Sequence, residues 1–210
     1  MESQKLSEIR KYVRDITLPV IMEESYNITI DKVEDRFSFG IFRGKRKKAF
    51  KQLNNLDAIL TGSAALSLYR INGELIFERR KPKDFDFIVI HENLLRFCGV
   101  NNLTNVKYGD KVVSINLILG IDRGYSSYGD HNGWLFKTGI DLISKDDDVN
   151  FIKVGEYKIE KLFDIIRFKL KLIDSSDLNP LKSTYFLTSD QRDKHINDLY
   201  SILTKILAYG

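Results

Sequence analysis

Cysteine is almost missing from this chain. The single Cys98 leaves no internal disulfide to form, and with only three histidines besides it the chain argues against a zinc site built on the usual ligand spacings. Long hydrophobic runs are missing too, since no stretch approaches the ~20 consecutive apolar residues of a membrane span. The opening Met1-Glu2-Ser3-Gln4-Lys5 carries no signal-peptide pattern, so the expectation is a cytoplasmic chain with no membrane partner. Nor is there a surplus of one charge. The 33 basic and 29 acidic residues leave a net +4, too even a balance to argue by itself for nucleic acid. What is present is apolar material for a core: 43% of the 210 residues are hydrophobic, enough for one domain, or one with a helical appendage.

Periodicity organises the chain. Residues 3–24 have helical spacing, with Leu6, Ile9, Val13, Ile16 and Val20 on or near one face and Pro19 placed to end or kink the helix. The period then changes. Asn27 to Val33 and Arg36 to Phe42 alternate apolar and polar, and Glu34-Asp35 between them predicts a hairpin turn. A basic run, Arg43 to Lys48, leads into a short helix over Ala49 to Leu53. Further on, the pattern predicts a helix over Glu92 to Phe97, a strand over Lys111 to Leu119 and a Gly-, Ser- and Tyr-rich loop over Gly120 to Gly133. No internal repeat is present.

Two segments carry chemistry. In the first, the apolar run Ala58-Ile59-Leu60 closes on Gly62-Ser63, and a helix-like run, Ala64 to Tyr69, follows. Ser63 then reads as an N-cap with backbone N–H groups beside it, an anion site. In the second, Lys83-Asp84-Phe85-Asp86-Phe87-Ile88-Val89-Ile90 reads as a strand. Alternation sends Asp84 and Asp86 the same way, roughly 6.5–7 Å apart along the backbone, where two carboxylates can share a divalent cation. The same letters also suit a solvent-facing strand edge, with Phe85, Phe87 and Val89 in the core.

In their order, spacing and strand-helix context, the two segments resemble the active site of the nucleotidyltransferase superfamily of the DNA polymerase beta type. The resemblance spans roughly residues 56–207, in pieces, and Arg192-Asp193-Lys194-His195-Ile196-Asn197-Asp198-Leu199 is similar to a signature of the minimal and abortive-infection-toxin branches. It implies an α+β nucleotidyltransferase fold, with a short mixed β-sheet flanked by helices and a C-terminal helical segment. Periodicity sets apart an N-terminal helix-and-hairpin extension at 1–44, which the resemblance does not explain, leaving a core at 45–153 and the helical segment at 154–210. The resemblance also implies a third carboxylate on a neighbouring strand. Lys137-Thr138-Gly139-Ile140-Asp141-Leu142-Ile143 offers Asp141, although these residues followed by Asp146-Asp147-Asp148 would also make a strand ending in an acidic surface turn.

The activity so implied is transfer of a nucleoside monophosphate from a nucleoside triphosphate, with Mg²⁺ or Mn²⁺ held by Asp84, Asp86 and Asp141. Asp141 would bind the metal nearer the acceptor and help to remove its proton. Gly62, Ser63, Lys169, Lys194 and Asp198 would contact the nucleotide. Lys169 falls within an apolar helical face of Ile159, Leu162, Phe163, Ile166, Leu170 and Ile173, so it must find a counter-charge or carry its ammonium out to solvent; the resemblance implies that it reaches toward the triphosphate. Arg167 is expected on the exposed side. The last helix should open near Thr188-Ser189-Asp190 and bury Ile196, Leu199, Leu203, Ile206 and Leu207. His195 there suits a buried structural pair with Asp198 as well as a contact to the nucleotide.

The acceptor is left open as an RNA end, a protein hydroxyl or a small molecule; the toxin-like branch points to tRNA. Arg43 to Lys48 and Arg79-Arg80-Lys81 with Lys83 would line a groove for an RNA backbone, or form solvated faces. Tyr125, Tyr128 and Trp134 would stack a base, or pack. Two other readings stand beside the enzyme. One is a nucleotide- or RNA-binding module without turnover, and the other is a site kept closed until a regulatory protein partner releases it.

Overall fold

The computed structural model describes residues 2–16, 27–37, 50–51, 53–77, 85–90, 93, 105–108, 111–114, 126–130, 140–145, 149–178 and 189–209. In chain order the elements are α1 (Glu2–Ile16), β1 (Ile28–Ile30), α2 (Val33–Phe37), β2 (Ile59–Thr61), α3 (Gly62–Leu66), β3 (Tyr69–Ile71) and β4 (Glu74–Leu75). Then come β5 (Phe85–Ile90), β6 (Asn105–Tyr108), β7 (Lys111–Ser114), β8 (Ser126–Asp130), β9 (Ile140–Lys145), β10 (Phe151–Val154), β11 (Tyr157–Glu160), α4 (Leu162–Leu178) and α5 (Ser189–Ala208). The fold is mixed α+β. Among the described residues no helix is long and apolar enough to cross a membrane.

Two compact units emerge, each assembled from separate stretches: residues 1–31, 66–81 and 161–210 in one, and 32–65 and 82–160 in the other. The periodicity divides the chain consecutively, at 44/45 and 153/154, whereas the units interleave along it.

The second unit is a sheet of eight strands in the order β10-β11-β2-β5-β9-β8-β6-β7. Only β11 with β2 and β5 with β9 run parallel, and the other neighbours are antiparallel. One face of its central strands is aromatic. Phe50 meets Phe85, Phe87 and Tyr157 edge-on at ring-centre distances of 5.2, 5.0 and 6.3 Å, and Phe37 meets Phe85 at 5.1 Å. Edge-to-face packing of this kind adds to the area these rings bury. Leu60, Val89, Leu142 and Ile159 are also buried. Tyr157 is buried with them, and its hydroxyl is pushed up to about 12, first by burial and then by the Glu34 and Glu156 carboxylates.

The first unit joins α1, α4 and α5 with the small sheet β1-β3-β4. Leu6 and Ile9 of α1 are buried, and α1 packs on α5 and α4. Lys5 donates to Asn197 Oδ1 at 3.0 Å and lies 5.6 Å from the Tyr200 ring centre. Arg10 pairs with Asp174 at 2.6 Å. Lys205 donates to the Leu75 carbonyl at 2.7 Å, tying α5 to β4.

Several expectations are corrected. Glu34 and Asp35 are not a hairpin turn but lie in α2, because Val33 and Phe37, one helical turn apart, are both buried. β1 pairs instead with β3, so Tyr69 belongs to a strand and the helix expected from Ala64 stops at Leu66. Ser126–Asp130, expected as loop, is a strand held between β9 and β6. Ile159 is in β11 rather than in a helix, since its backbone pairs with Leu60 and Ile152. Leu207 is exposed, one position off the buried stripe of α5. The expected helix at 92–97, apart from Asn93, and the far end of the expected strand at 115–119 lie outside the described residues.

Candidate active site on the central strands

β5 lies inside the sheet, paired with β2 on one side and β9 on the other, so it is not an edge. Its alternation is strict at the start: Phe85 and Phe87 are buried in the aromatic layer, which places Asp86 on the opposite face. Asp86 is half-buried there.

What covers it is the turn out of β2. Gly62 has a φ of 66°, a left-handed backbone that residues with a Cβ rarely take. A Cβ at that position would collide with the Asp86 carboxylate and lie 3.2 Å from its Cγ. Glycine therefore serves two needs here, the turn and the close approach to Asp86. Ser63 is half-buried in the first turn of α3, so Gly62 rather than Ser63 marks the change of direction.

Register extends this junction into a row. Thr61 stands opposite Asp86, and Asp86 stands opposite Asp141 on β9. On the other side β11 pairs Lys158 with Ile59 and Ile159 with Leu60, which brings Glu160 beside Thr61. Residues at one level of a sheet share a face. Four adjacent strands thus carry Glu160, Thr61, Asp86 and Asp141 at one level of the backbone ladder. The Thr61 hydroxyl donates to Glu160 Oε2, and both residues are buried, at 2% and 1% exposure. A carboxylate this deep without a donor would cost about 1–3 kcal/mol or more, and the hydroxyl offsets that.

The sequence indicates Gly62, Asp86 and Asp141 but not Thr61 or Glu160. Glu160 is hidden when Tyr157–Glu160 is read as the start of a helix; the signal is that Tyr157 and Ile159 alternate with Lys158 and Glu160, period two rather than 3.6. Asp84 lies outside the described residues, as do 41–49, 78–84, Asp146 to Asp148, Tyr125 and Trp134. Among the described residues no group of three His, Cys, Asp or Glu is arranged to hold a metal ion. The donor chemistry nevertheless fits a hard divalent cation: carboxylate oxygens, one of them beside the side-chain-free turn at Gly62.

The residues expected on the C-terminal helices belong to the other unit. Leu162, Ile165, Ile166, Lys169 and Ile173 form the buried stripe of α4, with Phe163 and Leu170 half-buried at its margins. Lys169 is 4% exposed, so its side chain is almost wholly covered. Its Nζ lies 3.4 Å from His195 Nδ1 on α5. Asp198, one turn beyond His195, is also buried. Lys194 is exposed, and Arg167 is exposed, pairing with Asp164 at 3.4 Å.

Comparison with family models, with curated proteins and with solved structures found no match to this chain.

Proposed function

We propose that this chain is a divalent-metal-dependent nucleotidyltransferase, moving a nucleoside monophosphate from a nucleoside triphosphate to an acceptor. The reading rests on one junction: the Gly62 turn seated on the Asp86 carboxylate, with Asp141 at the same level of the next strand. A solvated acidic face needs neither a left-handed glycine against the carboxylate nor a second aspartate in register. The resemblance of Gly62-Ser63 and Asp84 to Asp86 to the polymerase beta type supports the same activity.

In the reaction, an acceptor oxygen attacks the α-phosphorus, the bond to the α–β bridging oxygen breaks and pyrophosphate leaves. A bound Mg²⁺ or Mn²⁺ supplies charge neutralisation at the entering and departing oxygens. Asp86 and Asp141, with Asp84, would hold it. Asp141 is on the strand farther from the glycine turn, and we assign it the acceptor side, where its carboxylate helps to take the acceptor proton. Gly62 lets the turn close on the Asp86 carboxylate where a side chain would block it. RNA, with tRNA first among acceptors, follows from the toxin-like branch that the chain resembles.

The test is incubation of the protein with Mg²⁺ and each α-labelled nucleoside triphosphate, with total RNA and protein extract as acceptors. Label should enter one fraction with the parent and none with Asp86→Asn. If the triphosphate binds but no label moves into RNA, protein or small molecules, the chain is a nucleotide-binding module.

A further inference from the structure

We propose that Glu160, acting through Thr61, is a positioning residue of the nucleotidyl-transfer site; the inference rests on the functional reading above. Thr61 is the last residue of β2 and is held from both sides. Its backbone is paired with Asp86 of β5, and its hydroxyl donates to Glu160 of β11. The next residue is Gly62, whose left-handed turn packs against the Asp86 carboxylate. A shift at Thr61 is therefore passed directly to the contact that orients Asp86.

The burial of the pair makes this link stiff. Thr61 and Glu160 are 2% and 1% exposed, so water cannot replace either partner without opening the sheet. A threonine hydroxyl donating to a carboxylate is a charge-assisted bond, stronger than one between neutral groups. It ties the end of β2 to β11 through side chains, while the backbone ladder ties it to β5. All the residues of this chain of contacts lie within the sheet unit. Glu160 accepts the Thr61 hydroxyl one residue before the Gly62 turn, so its action on Asp86 runs through the end of β2. Supports one step behind a metal ligand are worth roughly 10–100-fold in metal affinity or activity.

The experiment compares Thr61→Ser, which keeps the hydroxyl, with Thr61→Val, which removes it, and with the double variant Thr61→Val/Glu160→Leu. Replacing both partners by apolar groups can leave stability nearly unchanged, so the double variant separates packing from positioning. Thermal unfolding is followed alongside titration with Mn²⁺ alone and the rate of label transfer, with Asp86→Asn marking the Mn²⁺ bound at this site. We expect Thr61→Ser to behave like the parent. The double variant should melt close to the parent yet bind Mn²⁺ roughly 10-fold or more weakly and transfer label correspondingly slowly, at little-changed KM for the triphosphate. Recovery of Mn²⁺ affinity and transfer together with stability would reduce the pair to packing and overturn the proposal. So would a Thr61→Ser protein as impaired as Thr61→Val. A parent that neither binds Mn²⁺ at Asp86 nor transfers label would instead overturn the nucleotidyltransferase reading, and this inference with it.

Discussion

The two units place polar and charged groups by different means. In the sheet unit, Glu160, Thr61, Asp86 and Asp141 owe their places to strand register, so the backbone ladder sets their spacing whatever the side chains do. In the helical unit, Lys169 sits in the middle of an apolar stripe and reaches His195 only because its long stem crosses to the next helix. A ligand hung on a ladder can be changed without moving the frame. A charge embedded in a packed stripe cannot, because its stem is part of the core.

The contrast is sharpest at Asp86 and Lys169. Asp86→Asn should lower turnover roughly 10³-fold or more, about 4 kcal/mol of transition-state stabilisation, while the melting temperature stays near that of the parent. A variant with near-normal rates would remove Asp86 from the chemistry. Lys169→Ala should behave in the opposite sense, losing about 2–3 kcal/mol of stability in denaturant unfolding because the stem leaves a void among Leu162, Ile165, Ile166 and Ile173. If Lys169→Ala unfolds like the parent, the stem is not part of the core and the contrast fails.

Gly62→Ala tests where the sheet frame itself is vulnerable. Its left-handed φ and the carboxylate in the path of a Cβ together should cost about 1–3 kcal/mol, and Mn²⁺ affinity should fall with it. A smaller pH effect is expected on the aromatic face. The Tyr157 hydroxyl, ordinarily near 10, is held up to about 12 in the folded protein, chiefly by burial. The folded state therefore favours the protonated form, so this contribution is complete below pH 10 and is lost as pH rises towards 12. Urea midpoints between pH 9 and about 12 should fall less steeply for Tyr157→Phe than for the parent. The smallest effect is expected at Arg10 and Asp174. Both side chains are substantially exposed, at 47% and 38%, and a double-mutant cycle should give under about 1 kcal/mol.

Much of the sheet site was legible in the sequence because it rests on local pattern. The alternation in Phe85–Ile90 locates a strand with Asp86 opposite its aromatics, and the apolar letters around Asp141 suit a second strand, which only the resemblance offered as its neighbour. The glycine between an apolar strand and a helical run marks the turn. What the pattern does not carry is pairing. Nothing in Tyr157–Glu160 says that it lies beside Ile59–Thr61, nearly a hundred residues away, and only that register makes Glu160 a partner of Thr61. The same holds for Tyr69–Ile71, a strand because Ile28–Ile30 pairs with it, although its letters extend a helix. Short elements fixed by distant partners are where tertiary contacts override local preference. Lys169 was legible as a conflict, a charge on an apolar face, but its resolution by His195 rather than by solvent depended on how α4 and α5 pack.

The most direct test of the nucleotidyl-transfer reading is the yield of pyrophosphate per label transferred, measured for the parent and for Asp141→Asn. The row across β5 and β9 predicts one pyrophosphate for each labelled nucleotide moved by the parent, and neither product from a folded Asp141→Asn protein. An Asp141→Asn protein that keeps the parent rate, or a parent that binds the triphosphate and releases no pyrophosphate with any acceptor, would contradict it.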